Sequence, residues 1–140
     1  MSDAQDKALK GLKVLVVDDS NTIRRAMEIL LQKEGCDVAT ACDGFEALSK
    51  IVDHQPDIMF VDVVMPRLDG YQTCSLIKSN EQFKHIPVIM LSSKDGLFDR
   101  ARGRNEGADD YVTKPFSSDD VIEVITRHTS RPGSTAEAPS

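Results

Sequence analysis

Three carboxylates stand where the chain leaves an apolar run. Asp18 and Asp19 follow KVLVV (13–17), and Asp62 follows IMFV (58–61). Burying an unpaired carboxylate costs several kcal/mol unless something compensates it. Three acids close together also repel one another, which raises their pKa values or demands a cation. A hard divalent ion meets that demand. Mg²⁺ takes one or two carboxylates, a carbonyl and several waters. The expected ligands are Asp19, Asp62 and the backbone carbonyl of Val64, with Asp18 bound directly or through water.

A carboxylate can also act as a nucleophile and form an aspartyl-phosphate. Phosphoryl transfer asks mainly for positioning and charge neutralisation. Ser92 ends the apolar run PVIML (87–91), and Lys114 follows Tyr111-Val112. The Lys114 ammonium and Mg²⁺ would stabilise phosphoryl oxygens, and the Ser92 hydroxyl would donate to a further one. Asp62 alone lies in a stretch, IMFVDVVMPRLDG (58–70), that carries it from a strand into a loop closed by Met65-Pro66. A cis bond before Pro115 would aim the lysine into the crevice, and X-Pro is where cis occurs. Each residue has a structural reading when taken alone: Asp-Asp as a turn or cap, Ser92 as a cap, Lys114-Pro115 as a loop. Their convergence on one place is what a site explains.

Alternating strand and helix patterns must bring them there. Lys13–Val17 reads as a strand, and Ser20 or Asn21 caps a helix to about Glu34 with Ile23, Met27, Leu30 and Leu31 at helical spacing. Gly35 sits just past its end. Asp37–Ala41 is a second strand, and Gly44 to about Asp53 a helix with Phe45, Leu48, Ile51 and Val52 facing inward. Ile58–Val61 is a third strand, followed by a helix from Gly70 to about Ser79. Pro87–Leu91 is a fourth strand. A weakly patterned helix is expected over 95–106, a short fifth strand at Tyr111-Val112, and a last helix, capped by Ser117, to about His128. Its expected inward residues are Val121, Ile122, Val124 and Ile125. Five βα units in series argue for an α/β fold, a parallel sheet covered on both faces. Continuous apolar strands agree with burial on both sides. In such folds the ligand crevice lies at the carboxyl ends of the strands, where all five polar residues fall.

The expected organisation is a flexible segment at 1–11, one domain at 12–129 and a disordered tail at 130–140. The 140 residues suit a single domain. A net charge of −6 disfavours nucleic-acid binding, since it repels phosphate backbones. The N-terminal MSDAQDKALK has no apolar signal region, and no apolar run approaches the roughly 18 residues of a membrane span. Neither nucleic acid nor membrane insertion is expected. Three cysteines, Cys36, Cys42 and Cys74, with no CxxC fit reduced packing thiols in a cytoplasmic protein. His54, His85 and His128 read as surface residues. Arg100, Arg102 and Arg104 form a basic run, read as a solvated helix face or as part of a docking surface for an acidic partner.

The motifs VVDDS (16–20), VDVVMPRLDG (61–70), MLSS (90–93) and YVTKPF (111–116) together resemble the CheY-like receiver domain of two-component response regulators. The resemblance covers about residues 12–128. It implies a doubly wound, flavodoxin-like sheet of order 2-1-3-4-5 with five helices, an arrangement for which CheY is itself a standing example. It implies Asp62 as phosphoacceptor, Asp18 and Asp19 as the acidic metal pocket, Ser92 as switch hydroxyl, Lys114 as the phosphate-facing lysine and Tyr111 as switch aromatic. It also implies Val64 and Lys94 as positions that tune hydrolysis. The implied partners are a sensor histidine kinase of a chemosensory system and a downstream output protein, bound at a face made by the fourth helix, fifth strand and fifth helix.

GYQTCSLIK (70–78) and LSSKDGLFDRARGR (91–104) are similar more narrowly to single-receiver regulators of the PilG type, which act on type IV pilus twitching motility. Their output would be the pilus motor or its regulators. A receiver from another chemosensory pathway is the near alternative. A flavodoxin-like electron carrier would need a phosphate cradle where Asp18-Asp19 stand. A Mg²⁺-dependent aspartyl-phosphate phosphohydrolase would carry a second acid where Val64 stands. The family's domains assist their own phosphotransfer and dephosphorylation but are signalling proteins rather than enzymes.

Overall fold

The computed structural model describes residues 9–93 and 107–129. Strand β1 (Lys13–Val17) leads to α1 (Asn21–Lys33), β2 (Asp37–Ala41) and α2 (Gly44–His54). Strand β3 (Ile58–Asp62), α3 (Gly70–Lys78), β4 (Val88–Ser93), β5 (Asp110–Lys114) and α4 (Ser118–His128) follow. All neighbouring strands pair in parallel, in the order β2-β1-β3-β4-β5. The expected helix over 95–106 and the basic run at 100–104 lie outside the described residues, as do Lys94 and the tail.

Strand alternation splits the core into two layers. Val14, Val16, Ile58, Phe60, Ile89 and Leu91 pack with Met27 and Leu31 of α1 and with Val121, Val124 and Ile125 of α4. Leu15, Val17, Met59, Val61, Val88 and Met90 pack with Ala47 and Ile51 of α2 and with Cys74 and Ile77 of α3. Strands β1, β3 and β4 therefore bury both faces, which is why none of these central strands reads as apolar–polar alternation.

Helix entries are fixed by side-chain caps. Ser20 accepts from Ile23 N–H, Asp43 from Glu46 N–H, and Asp69 and Ser117 each close a capping box with the third helical residue. Each of these caps lies at the carboxyl end of the sheet, so the turns that hold the acidic residues are pinned at both sides.

Several expectations need correction. Phe45 and Val52 are 54% and 56% exposed, not inward. The buried arc of α2 is Gly44, Ala47 and Ile51. Gly44 packs so closely that a Cβ there would lie 2.3 Å from Thr73 Oγ1, leaving Phe45 turned away with the Arg67 guanidinium over its ring. Cys42 is exposed rather than a packing thiol, whereas Cys36 and Cys74 are buried. His128 is half-buried, with Nε2 2.8 Å from Asp110. Leu9, within the segment 1–11, is buried in the core, while Lys10 and Gly11 are exposed.

Candidate functional site

The carboxyl ends of β1, β3 and β4 and the last residue of β5 meet at one rim. Asp62 is the final residue of β3, and its Cα partner on β4 is Leu91, one residue before Ser92. Ser92 and Ser93 pair with Thr113 and Lys114. Strands β4 and β5 thus run further than their apolar stretches suggested, and Lys114 belongs to β5 rather than following it.

Carboxylate oxygens of Asp18, Asp19 and Asp62 all lie within 4.8 Å of one another. Asp18 is fully buried and Asp62 nearly so, while Asp19 is exposed. Lys114 Nζ sits between the two buried acids, 3.0 Å from Asp62 Oδ1 and 3.1 Å from Asp18 Oδ2. The contact with Asp62 is a hydrogen bond, whereas that with Asp18 Oδ2 is an ion pair outside hydrogen-bond geometry. The Lys114-Pro115 peptide is cis.

Electrostatics follow from this packing. Burial raises the Asp62 pKa to about 6, and the Asp18 charge adds to it against the opposing pull of Lys114. Lys114 is shifted up: burial lowers it, but the hydrogen bond and charge of Asp62, and then the neighbouring Asp18 carboxylate, outweigh that. One ammonium thus leaves the acidic group undercompensated. Asp18 Oδ2 and Ser92 Oγ are the buried side-chain oxygens without a hydrogen-bond partner among the described residues. Oxygen-only donors, a buried carboxylate oxygen that accepts no hydrogen bond among the described residues, and two buried acids sharing one ammonium suit a hard divalent cation.

Backbone geometry holds the site in place. Asp18 N–H donates to Ala41 O, and Asp18 Oδ1 accepts from Ser20 N–H at 2.9 Å. Arg24, which the sequence reading passed over, donates from Nη1 to the Asp18 carbonyl at 2.7 Å and from Nη2 to Asn21 Oδ1 at 2.9 Å. A basic residue in the first turns of a helix opposes the helix dipole, and that misplacement was the signal for it. After Asp62 the loop doubles back, with Gly70 N–H donating to Val63 O at 3.0 Å. A Cβ on Gly70 would fall 2.2 Å from the Asp62 carbonyl oxygen, so only glycine lets α3 seat there. Arg67 in that loop, at φ 68°, reaches Asp43 at 2.5 Å and ties it to the α2 cap.

Of the residues singled out in the sequence, Asp18, Asp19, Asp62, Ser92 and Lys114 come together at the rim. Val64 flanks them and is 75% exposed. Tyr111 lies in β5, two strands from Asp62, and borders a groove of about 300 Å³ lined also by Thr113, Glu123 and Arg127.

The response regulator receiver domain family matches residues 14–126. Protein PilG of Pseudomonas aeruginosa is 65% identical over 118 residues, which cover 84% of this chain and 87% of that protein. The alkaline phosphatase synthesis transcriptional regulatory protein PhoP of Bacillus subtilis is 44% identical over 78% of this chain and 45% of its own length. Among solved structures, chemotaxis protein CheY4 of Vibrio cholerae superposes with a TM-score of 0.81 at 33% identity, covering 85% of this chain and 99% of that one. The receiver domain of sensor histidine kinase PA1611 of P. aeruginosa gives 0.77 at 27% identity, covering 84% and 96%, and holds a magnesium ion in its active-site cleft.

Proposed function

The chain belongs to the response regulator receiver family, and from that premise we propose that Asp62 is its phosphoacceptor, charged by a histidine of a sensor kinase. The observation that carries this reading is the buried Asp62 carboxylate, with Lys114 at 3.0 Å and two further acids at its side. An Asp62 oxygen attacks phosphorus as the P–N bond to the kinase histidine breaks, and that electron pair returns to the imidazole nitrogen. Lys114 lies beside any group bonded to Asp62 and meets a phosphoryl oxygen with its charge. Ser92 Oγ, buried and unpartnered among the described residues, donates to another. Asp18, Asp19 and Asp62, with the Val64 carbonyl, would hold Mg²⁺, as the PA1611 receiver holds magnesium. Bound there, the ion supplies neutralisation of the charge that spreads over the phosphoryl oxygens.

The signal leaves by a shift between two packings. Ser92 moves toward the phosphoryl group, and Tyr111 turns into the vacated space. The surface around β5 and α4 changes with it and recruits or releases an output protein. The 65% identity to PilG supports a place in chemosensory control of type IV pilus twitching motility, with the chain acting as a stand-alone receiver. Val64, exposed and apolar, has no side-chain donor or acceptor to orient an attacking water, which favours a long-lived phosphoryl state.

Incubation with acetyl phosphate and Mg²⁺ followed by intact mass tests the reading. Wild type gains one phosphoryl group; EDTA or Asp62→Ala abolishes the gain. An equal gain in Asp62→Ala overturns it.

A further inference from the structure

We propose that Arg24 is a positioning residue for cation binding: its guanidinium fork fixes the peptide between the two acids of the first loop. The inference rests on the reading of Asp18, Asp19 and Asp62 as a Mg²⁺ site. Asp18 is restrained through three of its own atoms besides its carbonyl. Its N–H is held by Ala41 O at 3.1 Å, its Oδ1 by Ser20 N–H at 2.9 Å, and its Oδ2 by the Lys114 charge at 3.1 Å. Its carbonyl oxygen is held by Arg24 Nη1 at 2.7 Å. Because the peptide unit is planar, fixing that carbonyl fixes the plane in which Asp19 begins. Asp19 is exposed, so no packed shell around its side chain does this job. Nη2 of the same guanidinium is anchored on Asn21 Oδ1 at 2.9 Å, closing a turn from Asp18 through the start of α1.

Arg24 gives the fork two acceptors of different kinds, a backbone carbonyl and a side-chain amide. A lysine has a point charge and cannot span both in one planar group. The arrangement makes a claim whose sign separates it from simple electrostatics. A cation near an acidic pocket repels Mg²⁺, so removing it by charge alone tightens Mg²⁺ binding. If Arg24 instead orients the ligands, removing it loosens binding, as loss of outer partners of metal ligands does.

Calorimetric titration of Mg²⁺ into metal-free wild type, Arg24→Gln and Arg24→Lys decides between them, with thermal midpoints in EDTA as the folding control. Arg24→Gln is expected to bind Mg²⁺ about tenfold more weakly. Arg24→Lys, which keeps the charge and loses the fork, recovers only part of that loss and carries the test if the glutamine variant does not fold. Affinity equal to or tighter than wild type in the folded variant overturns the role of Arg24. A wild type that binds no Mg²⁺ overturns it together with the metal site beneath it.

Discussion

Asp62 carries a charge where the protein resists one. Its pKa stands at about 6 against an ordinary 3.8, burial being the main cause. The folded state therefore holds its proton over a range in which the unfolded chain has lost it. With more protons bound in the native state, stability falls as pH rises from about 4 to 6 and stays low above that. The gap corresponds to roughly 3 kcal/mol at neutral pH, as an order of magnitude. In EDTA, Asp62→Asn should be more stable than wild type at pH 7.5 by about 1–3 kcal/mol and should lose this part of the pH dependence. Urea denaturation at pH 4.5 and 7.5 measures it, and an asparagine variant less stable at pH 7.5 would contradict the account. Asp18, Asp19, Asp62, Ser92 and Lys114 were legible in the sequence because each follows or ends an apolar strand run. Arg24 was not, because its partners are a carbonyl and an amide a few residues away, and nothing in side-chain type announces a backbone acceptor.

At the scale of elements, the site depends on how closely α3 seats against the end of β3. Gly70 opens that helix, and a methyl group there meets the Asp62 carbonyl at 2.2 Å, backbone that cannot yield cheaply. Gly70→Ala should cost about 1–3 kcal/mol, the usual range for overpacking. It should also weaken Mg²⁺ binding, because relief of the clash moves the Asp62–Val63 backbone. Chemical denaturation and Mg²⁺ titration of the one variant check both; wild-type values for both would show the contact to be soft. The same close packing explains where the sequence misled. The large residues of α2 carry its helical periodicity, and that pattern points Phe45 and Val52 inward. The helix in fact approaches its neighbours through Gly44 and Ala47, small residues that carry little hydropathy but permit contact. Helix starts were easier: Ser20 and Ser117 cap where the sequence placed caps, and the helices opening at Gly44 and Gly70 begin where expected, capped by Asp43 and Asp69. Strands β4 and β5 ran past their apolar stretches because Ser92, Ser93, Thr113 and Lys114 pair through their backbones whatever their side chains are.

For the whole molecule, the parallel sheet sets the phosphoacceptor and the outer strand β5 two positions apart, with β4 between them. Ser92 lies on that intervening strand, and Tyr111 borders a groove against α4. Phosphorylation of wild type should therefore alter amide hydrogen exchange across residues 110–128, while Tyr111→Ala should take up phosphate and leave that region unchanged. Equal responses in the two proteins would remove Tyr111 from the switch. The sheet order itself was legible only through the family resemblance, since apolar runs show that strands exist but not which neighbours they choose. Beneath all of this lies one chemical identity, that of the residue carrying the phosphoryl group. Reduction of acetyl phosphate-treated protein with borohydride converts an acyl phosphate to an alcohol, and peptide mass mapping then locates it. The account predicts homoserine at position 62 and nowhere else; conversion at Asp18 or Asp19, with residue 62 untouched, would contradict it.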